Sequence, residues 1–514
     1  MTTDSTTGTT RHTTTPEAGG TSRRARRPSP ATRVVGTFRN PLHTFLVLAI
    51  AVGGFCVFAI PWFGGIDEPA HFYRSYQIST GTLVPEEIPG SDFSGACLPS
   101  SLTDQVEPYQ AAYFRHLLTL VGGPERFDDF DEIPAADGAT GAGTAEDDPG
   151  AQAGSAPECA SADETPLTFS TFGSPVPYAP QTASVLVGRA LGMSAGPMLI
   201  LGRIVMLAVY VGLVGLAIKR SPRAKWAMAA VALVPVALFQ SVGWSHDAIT
   251  TAVALLLVSS ALRTLDPPQG ATVRGLVIEA VLLSVLLGCC KPVYAVIAGL
   301  YLLPLLGRGR RGELWPMVLA PIAAVVTSVV LNEVGGGQWR TDADYFGIRP
   351  DDAARSDELT SAPWHFLADS VRTVPEEAWN WVDGLWSVGM SVTNWPAVVP
   401  AVAAVLYLLV SLQRDRDEPA RGLNLWQRGL VVLVLLAGFL LVLGANYVYW
   451  TTPGNDVITG VQARYLEPLL VLIPVAIGGI NVRWLRSRDT PFPLAVLLVP
   501  FLALFCVVLA LRMH

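Results

Sequence analysis

The feature that most constrains this chain is a series of apolar runs, each about twenty residues long, which is the length an α-helix needs to cross a bilayer. Short polar segments separate the runs. Lipid offers no partner to an open backbone, so helices are the expected form of such runs. Only 15% of the 514 residues are charged, against about a quarter in soluble domains. The sequence therefore predicts an all-α polytopic membrane protein.

Run length and hydropathy predict about eleven transmembrane helices. Their approximate bounds are 42–63, 195–218, 226–243, 247–264, 275–290, 292–307, 314–333, 395–412, 428–447, 466–481 and 491–511.

Basic residues give these spans a predicted orientation. Arginines and lysines follow the second, fourth, sixth, eighth and tenth spans, and arginines also cluster near the N-terminus at Arg23, Arg24, Arg26 and Arg27. Connectors rich in these residues stay in the cytoplasm. We therefore expect a multi-pass protein of the cell (cytoplasmic) membrane, with its N-terminus in the cytoplasm and the other connectors outside. The N-terminal cluster reads as a topology signal, and no nucleic-acid partner is expected.

The chain divides into a tail and a membrane domain. Residues 1–40 are rich in Thr, Ser, Pro and Arg and predict a disordered cytoplasmic tail; residues 41–514 form the membrane-embedded domain. Two extracytoplasmic connectors are long: 64–194, with a low-complexity flexible insertion at 134–165, and 334–394, which is rich in tryptophan. Tryptophan is typical of helices at the membrane interface, and a sugar- or lipid-binding platform is the alternative.

Two cysteines, Cys97 and Cys159, lie outside the predicted spans in the first long connector. An oxidising compartment favours a disulfide between them, and two unpaired thiols are the alternative.

A pair of adjacent carboxylates, Asp67 and Glu68, follows the first span and precedes His71 and Arg74. A partly desolvated carboxylate can have a raised pKa and act as a general base. Glycosyl transfer to a hydroxyl needs such a base. The alternative is that the pair stabilises a helix N-terminus.

Further polar residues stand at the predicted outer ends of later spans. They are His246, Asp247, Lys291, Asp383, Gln462, Arg464 and Tyr465. Arginine binds phosphate through two parallel hydrogen bonds, and a salt bridge to an outer carboxylate is the alternative for Arg464. Lys291 could hold a phosphate or extend toward lipid headgroups. Carboxylates and cations on one membrane face are what binding a phosphate-linked sugar and activating an acceptor require.

The chain resembles the bacterial membrane proteins of domain-of-unknown-function family 2142. The segments that carry the resemblance are DEPAHFYRSYQISTG, SPVPYAPQTASVLVGR, SHDAITTAVALLL, KPVYAVIAGLYLLP and GVQARYLEP. Ala463 stands where the family pattern has glycine. That family is similar in organisation to the GT-C glycosyltransferases. The resemblance implies a GT-C-like arrangement, an acidic motif in the first outer loop, a polyprenyl-phosphate-sugar donor and transfer with inversion to a cell-envelope glycan or lipid.

Carried onto this sequence, the resemblance makes Asp67 or Glu68 the base and lets Arg464 and Lys291 contact the carrier phosphate. The remaining polar residues would bind substrate: His71, Arg74, His246, Asp247, Asp383, Gln462 and Tyr465. No cofactor and no obligatory metal are expected, although a divalent cation at Asp67 or Glu68 stays open. Membrane lipid is the other expected partner.

Two other functions compete with the transferase. A transporter or flippase of an envelope glycolipid would place charges deep within the spans, where Arg203 and Glu279 are the main candidates. A non-enzymatic envelope assembly protein would use its long loops to bind partners.

Overall fold

The structure is a computed structural model, and it is mostly helical. It describes residues 40–87, 94–109, 159, 161–168, 174–307, 311–334, 351–387, 398–415, 417–419 and 421–478. The predicted tail, nearly all of the insertion at 134–165 and the predicted span 491–511 lie outside the described residues, so those predictions stay untested.

The α-helices are numbered in chain order. They are α1 (Pro41–Ala59), α2 (Glu68–Ser79), α3 (Ala179–Ala190), α4 (Ala195–Arg220), α5 (Lys225–Val231), α6 (Pro235–Val242), α7 (Asp247–Leu265), α8 (Val273–Cys290), α9 (Arg311–Leu314), α10 (Leu319–Val334), α11 (Asp352–Ser361), α12 (Pro363–Leu385), α13 (Val398–Ser411), α14 (Leu425–Tyr449), α15 (Ala463–Leu470) and α16 (Leu472–Ile477). Three 3-10 helices span Val176–Tyr178, Pro292–Leu306 and Trp315–Val318.

Among the described residues, six helices are long and apolar enough to cross a membrane. They are α1, α4, α7, α8, the stretch Gly312–Leu331 and α14. Helices α5 and α6 make a seventh span if they are counted together across their 67° bend, where Pro235 starts the second helix. Two further predicted spans coincide with the shorter apolar helices Pro292–Leu306 and α13. The membrane class is confirmed, whereas the count of eleven stays a prediction.

The 3-10 helix Pro292–Leu306 is unusually long for its type, which rarely exceeds four residues. Its burial repeats every three residues, with Tyr294, Ile297 and Leu300 all buried, as three residues per turn requires. A rise of about 2.0 Å per residue makes it about 30 Å long, which matches the hydrocarbon core. It packs against α7, α8, α10 and α14.

A small antiparallel sheet lies in the first long connector. Its strands are β1 (Glu86–Glu87), β2 (Ser94–Pro99) and β3 (Glu164–Thr168), in the order β1-β2-β3. A disulfide joins Cys97 to Cys159, with their Cα atoms 5.8 Å apart. The sheet and the disulfide together join residues 94–99 to residues 159 and 164–168.

Helix α7 is the centre of the bundle. Nearly all of its residues are buried, and it packs against α4, α8 and the 3-10 helix Pro292–Leu306. Its first residue is Asp247. A polar group that contacts this carboxylate therefore lies at the end of the most buried of the six long apolar helices in the described part of the chain.

Candidate functional site

Four charged residues from separate parts of the chain meet at one end of the bundle. Arg464 Nη2 lies 2.6 Å from Asp67 Oδ2, and Arg464 Nε lies 3.5 Å from Asp247 Oδ2. Lys291 Nζ lies 3.0 Å from Asp247 Oδ1. We call Asp67, Asp247, Lys291 and Arg464 the charged cluster. Its two anions and two cations alternate, so each charge lies beside one of opposite sign.

Helix ends place each member of the charged cluster. Asp67 precedes α2 with a φ of +57°, in the left-handed region, which is uncommon outside glycine and several-fold enriched for Asp. Asp247 begins α7, where its backbone N–H donates to Ser245 Oγ at 3.1 Å. Lys291 follows the last residue of α8, and Arg464 lies in the first turn of α15.

The two adjacent carboxylates of the DEP segment have different surroundings. Glu68 is fully buried, and its two oxygens accept from Arg203 Nε at 3.0 Å and Nη2 at 2.7 Å. Gly65 N–H also donates to Glu68 Oε2 at 3.0 Å. The side chain of Asp67 is 53% exposed. Glu68 therefore fastens the segment to α4, and Asp67 is the carboxylate that belongs to the charged cluster.

Arg203, which lies on α4, binds both Glu68 and the backbone that follows α1. Besides Glu68, its guanidinium donates to the carbonyl oxygens of Ile60 and Pro61, both at 2.8 Å. A charge buried in a span is costly unless it is paired and hydrogen-bonded. The turn after α1 supplies those partners, so Arg203 has a structural explanation.

Arg464 has donors that its neighbours leave unused. Its side chain is only 3% exposed. Nε and Nη1 are buried and have no hydrogen-bond acceptor in the described part of the chain. Buried donors are nearly always satisfied, so an exception needs an explanation. An anion that approached this guanidinium would supply the missing acceptors.

An aromatic ring backs the two cations. Lys291 Nζ lies 4.3 Å from the centroid of the Tyr465 ring, and the Arg464 guanidinium carbon lies 5.2 Å from it. Such contacts stabilise a cation that has lost water. Tyr294 fixes this ring's backbone by donating to the carbonyl of Tyr465 at 2.7 Å.

Two histidines and a tyrosine lie beside the charged cluster. Tyr178 Oη is 2.9 Å from His71 Nδ1 and 3.4 Å from His246 Nδ1. His246 Nε2 is 3.6 Å from Asp247 Oδ1. Burial lowers the pKa of His71 from 6.5 to about 4, although Asp67 and Asp247 oppose the shift. Burial also holds the pKa of His246 well below its usual range. Both rings are therefore neutral near pH 7.

Other residues predicted from the sequence have different surroundings. Arg74 is buried and binds Gln77 Oε1 and the carbonyl of Leu83, so it holds the turn after α2. Asp383 is buried near the end of α12. Gln462 precedes α15, and its buried Oε1 has no hydrogen-bond partner among the described residues.

Three residues near the site were missed by the site predictions. Tyr178 bridges the two histidines, Arg203 binds Glu68, and Glu467 is a buried carboxyl group on α15. Tyr178 and Glu467 lie within the family-like segments SPVPYAP and GVQARYLEP, which was the available signal. Arg203 was visible as a charge in an apolar span, but nothing in the sequence pointed to its partner.

The charged cluster offers a metal ion little room to bind without breaking ion pairs. Asp67 and Asp247 each bind Arg464, and Asp247 also binds Lys291. Among the described residues, Cys97, Cys159 and Glu164 lie close enough to share an ion, but both thiols are consumed in the disulfide. The donor set of the charged cluster suits an anion better than a cation.

Comparison with known proteins gives a family but no activity. No curated protein and no solved structure matches the chain. One family profile matches residues 148–473, which is more than half of the chain and includes Tyr178, Asp247, Lys291 and Arg464. Asp67 lies before the matched region. The chain belongs to the family described as "Predicted membrane protein (DUF2142)".

Proposed function

We propose that this protein is a GT-C-like glycosyltransferase that moves a sugar from a polyprenyl-phosphate carrier to a cell-envelope glycan or lipid. The observation that carries the proposal is the buried Arg464 guanidinium, which has unused donors and lies against the half-exposed carboxylate of Asp67. A phosphate needs such donors, and an acceptor hydroxyl needs such a base.

The carrier phosphate would bind between Arg464 and Lys291. It would accept from Arg464 Nη1, which lacks an acceptor among the described residues, and from Nη2, which lies on the same edge of the guanidinium and now donates to Asp67. Lys291 adds a second positive charge, held 3.0 Å from Asp247. A bidentate guanidinium contact gives geometry as well as charge. As the phosphate draws Arg464 toward itself, the grip on Asp67 Oδ2 weakens.

Asp67 would then act as the base. The acceptor oxygen attacks the anomeric carbon from the face opposite the phosphate, and its proton passes to the Asp67 carboxylate. The bond between the anomeric carbon and the phosphate oxygen breaks, and the electron pair leaves with the polyprenyl phosphate. Arg464 and Lys291 stabilise the charge on that leaving group. A single displacement inverts the anomeric centre, and no metal step is required.

The proposal places the charged cluster outside the cytoplasm. Its support is the basic residues around the opposite ends of the same helices, including Arg220, Arg223, Lys225 and Arg263. Segments rich in Lys and Arg stay on the cytoplasmic side. The cluster would then face the compartment in which envelope glycans are assembled.

A transporter or flippase has less support from the described spans. Arg203 is paired with Glu68, and Glu279 is paired with Arg220 and Arg263. Both charges that suggested passage through the bundle are therefore used in structural ion pairs. No specific observation favours the assembly protein.

The test compares envelope glycans and polyprenyl-phosphate sugars in a deletion strain carrying the native gene, Asp67→Asn or no gene. A matched control is Asp104→Asn, an exposed aspartate in the same connector. We expect Asp67→Asn to lower transfer by about 10²–10⁴-fold, the usual contribution of a general base, and to accumulate the donor on the outer leaflet. Asp104→Asn should restore the glycan fully.

The protein level in the membrane is measured for every strain, so that loss of folding is not mistaken for loss of activity. Accumulation of the donor on the inner leaflet would identify a flippase instead. If Asp67→Asn restores the glycan as well as the native gene does, Asp67 is not the base. An unchanged glycan profile in the deletion strain would overturn the transferase proposal.

A further inference from the structure

Helix α12 turns its apolar side away from the protein. The exposed apolar residues are Trp364, Leu367, Val371, Val374 and Trp379. Their spacing puts them on one face of the helix, and Val371, at the centre, is 73% exposed. We call these five residues the apolar stripe.

The opposite face of α12 is polar where it packs against the protein. Asp369, Ser370 and Thr373 are buried there together with Phe366. A helix surrounded by water shows the reverse arrangement, with its apolar face inward. The outward apolar stripe of α12 therefore needs an apolar cover.

The surroundings of α12 indicate that this cover is lipid. The helix contacts α13 and α14, whose exposed side chains include Val402, Val405, Leu433 and Leu436. Both neighbours of α12 thus also have outward apolar side chains, and α14 is long and apolar enough to span the bilayer. Trp364 and Trp379 lie near the two ends of the stripe, and tryptophan is enriched at the membrane interface.

Charged residues border the apolar stripe and exclude a transmembrane path for α12. His365, Arg372 and Glu376 are exposed along one edge of it. Helices that lie in the plane of the interface have this division, with apolar residues in the acyl boundary and charges among the headgroups.

We propose that α12 lies in the membrane interface with its apolar stripe in the lipid. Its protein-facing side fastens the segment 450–462, which leads into α15. Thr373 Oγ1 accepts from Ile458 N–H at 2.8 Å, and Trp381 Nε1 donates to the carbonyl of Val461 at 3.0 Å. These two hydrogen bonds link the lipid-facing helix to the segment that leads into Arg464. The inference holds whether or not the protein transfers sugars.

The test attaches a nitroxide label to single cysteines in the full-length protein in lipid nanodiscs. Val371→Cys labels the stripe, and Glu376→Cys is the matched control on the charged edge. The label signal of the unsubstituted protein is subtracted, because Cys289 is partly exposed. Collision with oxygen, which concentrates in lipid, is compared with collision with a water-soluble nickel chelate.

We expect the Val371→Cys label to collide more with oxygen than with the chelate, and the Glu376→Cys label to show the reverse. Preferential collision of both labels with the chelate would overturn the proposal, since the stripe would then face water. Dipolar coupling between Val371→Cys labels of two copies would also overturn it, because it would show a second copy on the stripe. Low collision with both reagents would point to a bound partner protein instead.

Discussion

The two ends of the bundle carry the same kinds of charged residue in different arrangements. At the end opposite the charged cluster, Arg263 binds both oxygens of Glu279, and Arg223 binds Asp266 through Nε and Nη2. In the charged cluster, Arg464 donates a hydrogen bond to one oxygen of Asp67. Its Nε lies 3.5 Å from Asp247, but neither Nε nor Nη1 has a hydrogen-bond acceptor among the described residues. The charged residues at the opposite end pair with each other, whereas the charged cluster contains buried N–H donors that have no hydrogen-bond acceptor among the described residues.

Burial separates the two ends as well. The Arg223–Asp266 pair is 16% and 36% exposed, while the Arg464 side chain is 3% exposed. Exposed ion pairs contribute little because water and salt screen them. Buried charges interact strongly, and they cost much when a partner is missing. A ligand anion would therefore gain far more from the charged cluster than from the opposite end.

The largest expected effect is on folding, at the Glu68–Arg203 pair next to Asp67. Glu68→Gln leaves the buried Arg203 guanidinium without its counter-charge. We expect a loss of about 3–5 kcal/mol in the free energy of unfolding, measured by denaturant titration in detergent micelles. Asp67→Asn should cost much less, because its carboxylate is half exposed.

The double variant Glu68→Gln/Arg203→Met checks the cause. It removes both charges, so it should be more stable than Glu68→Gln alone. An equal loss in Glu68→Gln and Asp67→Asn would contradict the distinction between the two carboxylates.

Low pH should lower the free energy of unfolding, because the histidines beside the charged cluster are buried in their neutral form. The pKa of His71 is lowered to about 4 by burial, against about 6.5 in an unfolded chain. Below pH 6.5 the His71 ring becomes protonated in the unfolded state, whereas in the folded state it stays neutral until about pH 4. Stability is therefore fully present above pH 6.5 and falls as the pH drops toward 4, by up to about 3 kcal/mol for this residue.

His71→Gln should flatten that dependence without removing it, because burial also lowers the pKa of His246. Asp67, Asp247, Lys291, Arg464 and Tyr178 surround the same ring and stay in place in the variant. The measurement is the midpoint of thermal unfolding between pH 4 and pH 7. Equal slopes for the native protein and the variant would show that His71 is accessible to protons when folded.

Phosphate binding should distinguish the two ends most directly. Arg464→Lys keeps the positive charge and removes the planar fork. Hydrogen bonds to charged groups contribute about 1.5–3 kcal/mol, so we expect polyprenyl phosphate to bind about 10–150-fold more weakly. The matched variant Arg220→Lys, at the opposite end, should bind it normally. If both variants lose affinity equally, the phosphate does not depend on Arg464.

The sequence was informative where charge and chain polarity decide the outcome. The membrane class followed from run length. The residues Asp67, Asp247, Lys291 and Arg464 were each assigned to the same outer face, and in the structure their side chains touch. The alternation of basic connectors was enough to assign these four residues to one face, because the face of a connector depends only on the order of the spans. It could not specify which carboxylate meets which cation.

The sequence could not predict which side chains that lie far apart in the chain bind each other in the fold. Glu68 and Arg203 are 135 positions apart, and either residue alone has several explanations. Tyr178 was one tyrosine among 13, and only packing brings it between two histidines. The tryptophans of the connector 334–394 favoured helices at the membrane interface, but the sequence did not show which side of α12 faces outward, because hydropathy gives the apolar side of a helix and not the direction in which that side points.

The smallest expected effect is at the opposite end. Asp266→Asn removes the partner of Arg223, but that carboxylate is 36% exposed and its pair is screened by solvent. We expect a loss of no more than about 1 kcal/mol in the free energy of unfolding, which salt should reduce further. Glycan transfer should be unchanged. A loss as large as that of Glu68→Gln would mean that the opposite end is as tightly coupled as the charged cluster, and the contrast between the two ends would fail.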